Sequence, residues 1–293
     1  MQGKSQKFNP RQHMQTETFE VFHYRDAVLE PVALHQHDFY EVYFFLSGQV
    51  EYRVEGRVYR LEPGNLLLIN PMEFHQPVVE PGRNPYERMV LWINKKYLEG
   101  LSFGGDSLTV CFDSTQPAHS NLLRLSAAQQ EDVSEGLERL VRETRSDEYG
   151  AVQCAAGVLL QLMVALNRIA LSFDEPEAEE GQAPLLVKSA LAYIGEHYCE
   201  PLSLERLAEA FYVSKYHLAH VFQQAVGTSV YHYIILRRLV EAKQMLSSGI
   251  APGIVCVQCG FGDYANFYRA FKAEYGINPQ NYRNDGNGTG MVK

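Results

Sequence analysis

The first third of the chain alternates apolar and polar positions in short runs. Runs 39–46, 49–54, 58–61, 66–69 and 86–93 are rich in Val, Tyr, Phe and Leu. Ser47-Gly48, Glu55-Gly56, Pro63-Gly64 and Asn70-Pro71 punctuate them. Such runs between turn residues predict strands, and their close spacing predicts an antiparallel β-barrel over 18–125. The period then lengthens. Ser126 is a candidate N-cap, and Val133, Leu137, Leu140 and Val141 recur at helical spacing. A second helix carries Val152, Leu159, Leu160, Met163, Leu166 and Ile169. Its apolar stripe is wide enough to cover the barrel, to pair with a second copy of the chain, or both. Segment 126–173 is therefore expected to be a helical dimerisation element.

Residues 174–184 are acidic, contain Pro and Gly and lack large apolar side chains, as a linker would. From 185 to 283 the pattern is helical throughout. Residues 1–17 are expected to be a flexible lead and 284–293, rich in Gly and Asn, a disordered tail. The expectation is thus an α+β multidomain protein: an N-terminal antiparallel barrel with following helices, then an all-α unit.

Composition changes this picture in two places. The length, 293 residues, is that of about two domains. The net charge of −9 argues against a protein that coats nucleic acid along its whole surface. Yet the charge is unevenly divided. Residues 184–293 hold ten basic and eight acidic side chains, +2, whereas those upstream hold 16 and 27, −11. A basic reading surface is compatible only with the second part. The start of the chain shows no signal-peptide core, and the apolar stretch 155–173 is broken by Gln161, Asn167 and Arg168. No membrane partner is expected. Five scattered cysteines, an odd number, predict reduced thiols and a cytoplasmic protein. One isolated Cys256-x-x-Cys259 pair is weak as a zinc or redox signal; small buried thiols, common in cores, are the favoured reading.

The helical unit contains a repeat. Leu218-x3-Phe222-x4-Gly227 returns as Phe267-x3-Phe271-x4-Gly276. Each copy follows a short helix (204–211, 254–259), a tight turn and a capping residue, Ser214 or Asp263. Helix, tight turn and capped helix make a helix-turn-helix. In the first copy Leu218, Val221, Phe222 and Ala225 form the core stripe, leaving Lys215, Tyr216, Ala219, His220 and Gln223 outside. In the second, Phe267, Ala270 and Phe271 face in; Tyr264, Ala265, Tyr268, Arg269 and Lys272 face out. These outward faces suit base edges and phosphates in a major groove. A solvated surface would explain one such face but has no reason to repeat. A connecting helix at 229–247 would span about 28 Å, comparable with one DNA turn of about 34 Å. Its Arg237, Arg238 and Lys243 are candidate phosphate contacts or ordinary surface charge.

The stretch 201–246, PLSLERLAEAFYVSKYHLAHVFQQAVGTSVYHYIILRRLVEAKQML, resembles the AraC-type transcription regulators. So does GFGDYANFYRAFKAEYGINPQNYR at 260–283, with Gly260-Phe261, Phe267, Arg269-x-Phe271-Lys272, Gly276, Pro279 and Tyr282-Arg283 at the signature positions. The resemblance implies two helix-turn-helix units, in 185–283, binding adjacent major grooves of promoter DNA. By position it implies base contacts from Tyr216, Ala219 and His220 in the first unit and from Tyr264, Ala265, Tyr268 and Arg269 in the second; the capping Ser214 and the outward-facing Lys215, Gln223 and Lys272 complete the expected DNA-binding set. Pro252 and Cys256 stand where the family has an aliphatic residue and alanine, and His220 where arginine is frequent. Pro252 is compatible with a helix start.

In the barrel, His35-x-His37-x3-Glu41 precedes His75. On a regular strand His35, His37, Phe39 and Glu41 share one face. With His75 they form an N/O set that suits Zn, Ni, Mn or Fe(II). The order of these residues and the turns at Gly48, Pro63-Gly64 and Pro71 resemble the cupin barrel, in which such residues bind metal. Three readings stand: a transition-metal site, polar contacts to a small-molecule effector, or histidines hydrogen-bonded within the core. Trp92, the single tryptophan, is a candidate effector-stacking residue or a core residue. Arg53, Arg57 and Arg60 read as a solvated hairpin edge.

No nucleophile–base pair, phosphate loop or dinucleotide motif is present, so no catalytic residue is assigned. The leading expectation is a sequence-specific transcription regulator whose cupin-like domain senses a small molecule. By the family resemblance this is a sugar or related metabolite, no cofactor is required, and partners are promoter DNA, a second copy of the chain and RNA polymerase. A metal-dependent cupin enzyme with an accessory DNA-binding domain, and a constitutive regulator with a degenerate barrel, are the alternatives.

Overall fold

Eight strands among the described residues form two antiparallel sheets. They are β1 (Phe19–Asp26), β2 (Phe39–Ser47), β3 (Val50–Val54), β4 (Arg57–Arg60), β5 (Asn65–Ile69), β6 (His75–Val79), β7 (Tyr86–Asn94) and β8 (Leu122–Arg124). The larger sheet runs β1-β7-β2-β5-β8 and the smaller β4-β3-β6. The computed structural model describes residues 13–27, 31–80, 82, 84–115, 119–172 and 184–285. It divides into two compact units, Met1–Gln182 and Ala183–Lys293. The expected lead before residue 13, the linker over 174–183 and the tail beyond 285 lie outside the described residues.

The two sheets are not closed into one barrel; they face each other as a cupin-like sandwich. Side-chain parity separates two cores. Met89, Leu91 and Ile93 of β7 join Val42, Phe44, Leu66 and Leu68 on the outer face of the large sheet. Tyr86, Val90 and Trp92 point the other way, toward Tyr52 and Val54 of the small sheet. β2 is buried on both faces because both are covered.

Helices cover the outer face. After α1 (Lys95–Gly100) and a 3₁₀ turn at Val110–Phe112 come α2 (Ala127–Glu143) and α3 (Ala151–Ser172). Ser126 caps α2 in a reciprocal capping box with Gln129. α3 is long and apolar enough to cross a membrane by length and composition. In this fold Ala155, Leu159, Met163 and Leu166 pack into the same core as Val42 and Leu91. Burial of Leu159, Met163 and Leu166 contributes roughly 1.5–3 kcal/mol each. The polar break at Asn167 is structural. Its buried amide accepts from Cys111 N (2.9 Å) and donates to Leu108 O (2.9 Å) and Met163 O (2.8 Å), pinning the 3₁₀ turn to α3.

The second unit contains α4 (Leu185–His197), α5 (Leu204–Ala210), α6 (Lys215–Val226), α7 (Val230–Ser247), α8 (Pro252–Gln258), α9 (Tyr264–Tyr275) and α10 (Pro279–Asp285). Pro252 occupies the first turn of α8, where its missing N–H costs nothing. Cys256 and Cys259 are buried packing groups beside Phe261, Phe267 and Phe271. Burial, foremost, pushes the Cys259 thiol up to about 12. Arg238 is not a free phosphate contact: it is buried, donating to Tyr198 O (2.7 Å) and Glu200 O (2.8 Å). Arg237 is paired with Glu241 at 3.1 Å.

Candidate nucleic-acid interface and effector site

The repeat seen in the sequence is also a repeat of backbone hydrogen bonds. After α5, Val213 N donates to Ala208 O and Tyr212 N to Glu209 O. After α8, Phe261 N donates to Cys256 O and Gly260 N to Val257 O. Both are the Schellman pattern, with the left-handed residue at Tyr212 (φ 55°) and Gly260 (φ 76°). Two or three residues later a side chain caps the next helix: Ser214 Oγ accepts from His217 N (3.2 Å), Asp263 Oδ2 from Asn266 N (2.9 Å). The following helices each end on a left-handed glycine, Gly227 and Gly276.

These turns fix what each second helix buries. In α6, Leu218, Phe222 and Ala225 are inside. Ser214, Lys215, Tyr216, His220 and Gln223 are exposed, and Ala219 is half-buried. In α9, Phe267 and Phe271 are inside, while Tyr264, Ala265, Tyr268, Arg269 and Lys272 are exposed. Two polar groups beside them were not singled out in the sequence. His217 and Asn266 are exposed in the first turns of α6 and α9, and Asn266 Oδ1 accepts from Arg269 Nη2 at 2.5 Å. Their place three residues after each cap was a legible signal. Lys215 lies 3.8 Å from Glu205 and 5.6 Å from the centre of the Tyr216 ring.

The histidine cluster forms by a different route from the expected strand face. β2 begins only at Phe39, so His35 and His37 precede it. His35 instead makes a two-way backbone bridge with His75, at 3.1 and 2.8 Å. That bridge brings the His35 and His75 rings to 4.2 Å. His37 stacks parallel on Phe39 at 3.8 Å and sits 4.8 Å from the His75 ring. Donor atoms of His37, Glu41 and His75 all lie within 4.8 Å of one another; His35 is not one of this converging set. His37, Glu41 and His75 are all buried.

Backbone carbonyls fix the imidazoles. Nδ1 of His37 lies 2.9 Å from Phe39 O, and Nδ1 of His75 2.9 Å from Glu73 O. A carbonyl only accepts, so each Nδ1 carries a hydrogen, which leaves Nε2 as the other polar atom of each ring. Nε2 of His75 has no hydrogen-bond partner, and Nε2 of His37 lies 3.3 Å from Glu41 Oε2. Burial, with the neighbouring His35 and His37, holds His75 well below the ordinary imidazole range. Glu41 is oriented by Trp92 Nε1 (2.7 Å) and the Tyr52 hydroxyl (3.4 Å). Burial raises its pKa, but the His37 contact, the charges of His37 and His35 and the indole outweigh this and lower it. Trp92 is buried against Phe39 and Phe22, with its N–H on the carboxylate.

More polar groups line the same interior than the sequence reading picked out. Tyr43 and Tyr86 share a 2.5 Å hydroxyl contact. Arg88, buried, pairs with Asp26 and lies 4.2 Å from the centre of the Tyr86 ring. The parity of Tyr86, Arg88, Val90 and Trp92 along β7 was the signal available for them.

A polar-lined sandwich and a tandem helix-turn-helix unit on one chain define a ligand-responsive DNA-binding protein. Residues 21–148 match the family model of the AraC-like ligand binding domain, and residues 207–285 that of a helix-turn-helix domain. The chain belongs to the AraC-type family and is a DNA-binding transcription regulator. It is similar to the HTH-type transcriptional activator RhaR of Pectobacterium atrosepticum, 25% identical over 252 residues and 85% of each chain. It is also similar to the activator RhaS of Salmonella arizonae, 26% identical over 250 residues, 85% of this chain and 86% of that one. Among solved structures, the C-terminal domain of AraT from Geobacillus stearothermophilus is 28% identical, covering 38% of this chain and 89% of that one, with a TM-score of 0.34.

Proposed function

We propose that the interior between the two sheets is the effector site and that its occupancy changes promoter binding. The observation that carries this is the polar lining. His37, Glu41, Tyr52 and His75 converge in a domain whose other core is apolar, and an interior needed only for packing has no use for them. His35 and Trp92 complete the set. Hydroxyl, imidazole, carboxylate and indole groups in one lining suit a polyhydroxylated metabolite such as a sugar. The chain acts by binding rather than turnover, in the cytoplasm.

The DNA side is read by Ser214, Lys215, Tyr216, Ala219, His220 and Gln223 and by Tyr264, Ala265, Tyr268, Arg269 and Lys272. The small positive charge of the second unit favours two copies acting together on DNA, paired through α2 and α3, with RNA polymerase as a further partner. The effector shifts the equilibrium between DNA-binding geometries only by its differential affinity for them. The test is a thermal-shift screen against monosaccharides and sugar acids, followed by promoter mobility shifts. A His37→Ala/Glu41→Gln variant should lose the sugar-induced change and keep basal DNA binding. A variant that responds like the parent would place the effector elsewhere.

A further inference from the structure

We infer that His37, Glu41 and His75 form a binding site for one divalent transition-metal ion in the N-terminal unit. This deepens the sensing role just proposed and rests on it, by naming what the buried donors hold. Three observations converge. The donor atoms all lie within 4.8 Å of one another, and His37 Nε2 is 3.3 Å from Glu41 Oε2. Metal–nitrogen and metal–oxygen bonds of about 2.0–2.2 Å set ligand atoms about 3.4 Å apart around a tetrahedral ion. A single ion therefore bridges these atoms with small side-chain adjustments.

The second observation is the hydrogen-bond ledger. The two imidazoles and the Glu41 carboxylate offer one ligand atom each to a common point. Both histidines are at most 2% exposed; Nε2 of His75 has no partner, and Nε2 of His37 has only the Glu41 carboxylate, at 3.3 Å. A buried polar atom without a partner is costly, and the His75 Nε2 lies beside a second imidazole and a carboxylate. A cation satisfies all three at once.

The third is the support around them. Each liganding imidazole donates its other nitrogen to a backbone carbonyl, and Glu41 is held by Trp92 and Tyr52. Such outer contacts orient metal ligands and fix their tautomers. Two imidazoles and one carboxylate leave further coordination positions open and suit zinc, nickel, cobalt, manganese or iron(II) rather than calcium or magnesium. The oxygens of a vicinal diol or hydroxy acid fit those open positions, which links the ion to the effector. His35 stands beside the set, its Nδ1 bonded to Ala33 O at 2.9 Å.

The chain carries its own reporter, because its single tryptophan donates to the liganding carboxylate. Full-length protein, stripped with chelator and dialysed, is titrated with Co²⁺, Ni²⁺, Zn²⁺ and Mn²⁺ while Trp92 fluorescence is recorded. Metal content of protein prepared without chelator is measured by mass spectrometry. The expected result is saturable quenching by Co²⁺ or Ni²⁺ at one ion per chain, reversed by chelator and competed by Zn²⁺. His75→Ala and the near-isosteric Glu41→Gln should each weaken it by at least about tenfold. Far-UV ellipticity should stay unchanged. No saturable change with any of the four ions, or equal quenching in Glu41→Gln, would overturn the site. Should sugars shift the stripped protein while no ion binds, the metal reading falls and the sensing reading stands. One ion per chain with no sugar response leaves the metal site and removes the sensing reading.

Discussion

The two Schellman turns differ in one respect that can be measured. Gly260 and Tyr212 occupy equivalent left-handed positions, but only Gly260 is pressed against backbone. A Cβ at Gly260 would lie 2.6 Å from Cys199 O, 2.8 Å from its carbonyl carbon and 2.9 Å from its Cα. None of these atoms can rotate aside. Gly276, at φ 71°, is also left-handed, yet a Cβ there meets nothing within 4 Å. Gly276→Ala therefore incurs only backbone strain, about 1–2 kcal/mol. Gly260→Ala adds overpacking of about 1–3 kcal/mol, for a total of about 2–5 kcal/mol. Tyr212→Gly should act in the opposite direction. Its side chain is 96% exposed, so little packing is lost, and strain relief less the entropy cost of glycine leaves a gain of about 0.5–1 kcal/mol. In a unit of this size 1 kcal/mol shifts the melting temperature by about 4–8 °C. Far-UV ellipticity follows the helices, while Trp92, in the other unit, is an internal control that should not move. Gly260→Ala should also weaken promoter binding, since Gly260 sets the approach to the Asp263 cap of α9. Equal melting temperatures for Gly260→Ala and Gly276→Ala would refute the claim that contact with Cys199 fixes this turn.

Arg238→Ala should destabilise the second unit by about 2–4 kcal/mol, because Tyr198 O and Glu200 O lose a charged donor; urea midpoints check this, and an unchanged salt slope of DNA binding in the folded fraction excludes a phosphate role. Arg269→Ala should cut promoter affinity about 10–100-fold with unaltered ellipticity, read by mobility shift at fixed salt. The Glu73 carboxyl is pushed up to about 7, by burial first and by Glu55, against the hydrogen bonds from Asn70 and Asn121. Its folded pKa exceeds the unfolded one, so the folded state holds the extra proton. Stability should therefore fall as pH rises from about 4.5 to 7 and level off above, and Glu73→Gln should flatten that slope in urea midpoints followed by Trp92 fluorescence.

The two halves of the chain were legible to different degrees for a physical reason. A helix cap, a Schellman turn and a 3.6-residue stripe are decided within about six residues, so Ser214, Asp263, Gly227 and Gly276 announce the tandem unit. Arg238 escaped that reading because its burial depends on Tyr198 and Glu200, some 40 positions earlier. In the sandwich almost everything is of this second kind. β1 was missed because His23 and Arg25, polar edge positions facing Glu87, interrupt its alternation. β6 was read only as strand-like because Pro77 breaks its pattern, which an edge strand tolerates. β8, three residues long, falls below any period. The site inherits the difficulty. Strand parity placed His35, His37 and Glu41 on one face, but the strand starts at Phe39, and the cluster is assembled by register instead. Val54 pairs with His75 across β3 and β6, and His35 pairs with His75 across the loop. A one-residue slip of β6 would turn the His75 ring to the other face of its sheet and dissolve the cluster. The sensor thus depends on long-range pairing, whereas each reading helix is specified by its own turn and caps, so substitutions in the two units should affect sensing and DNA reading by separate routes.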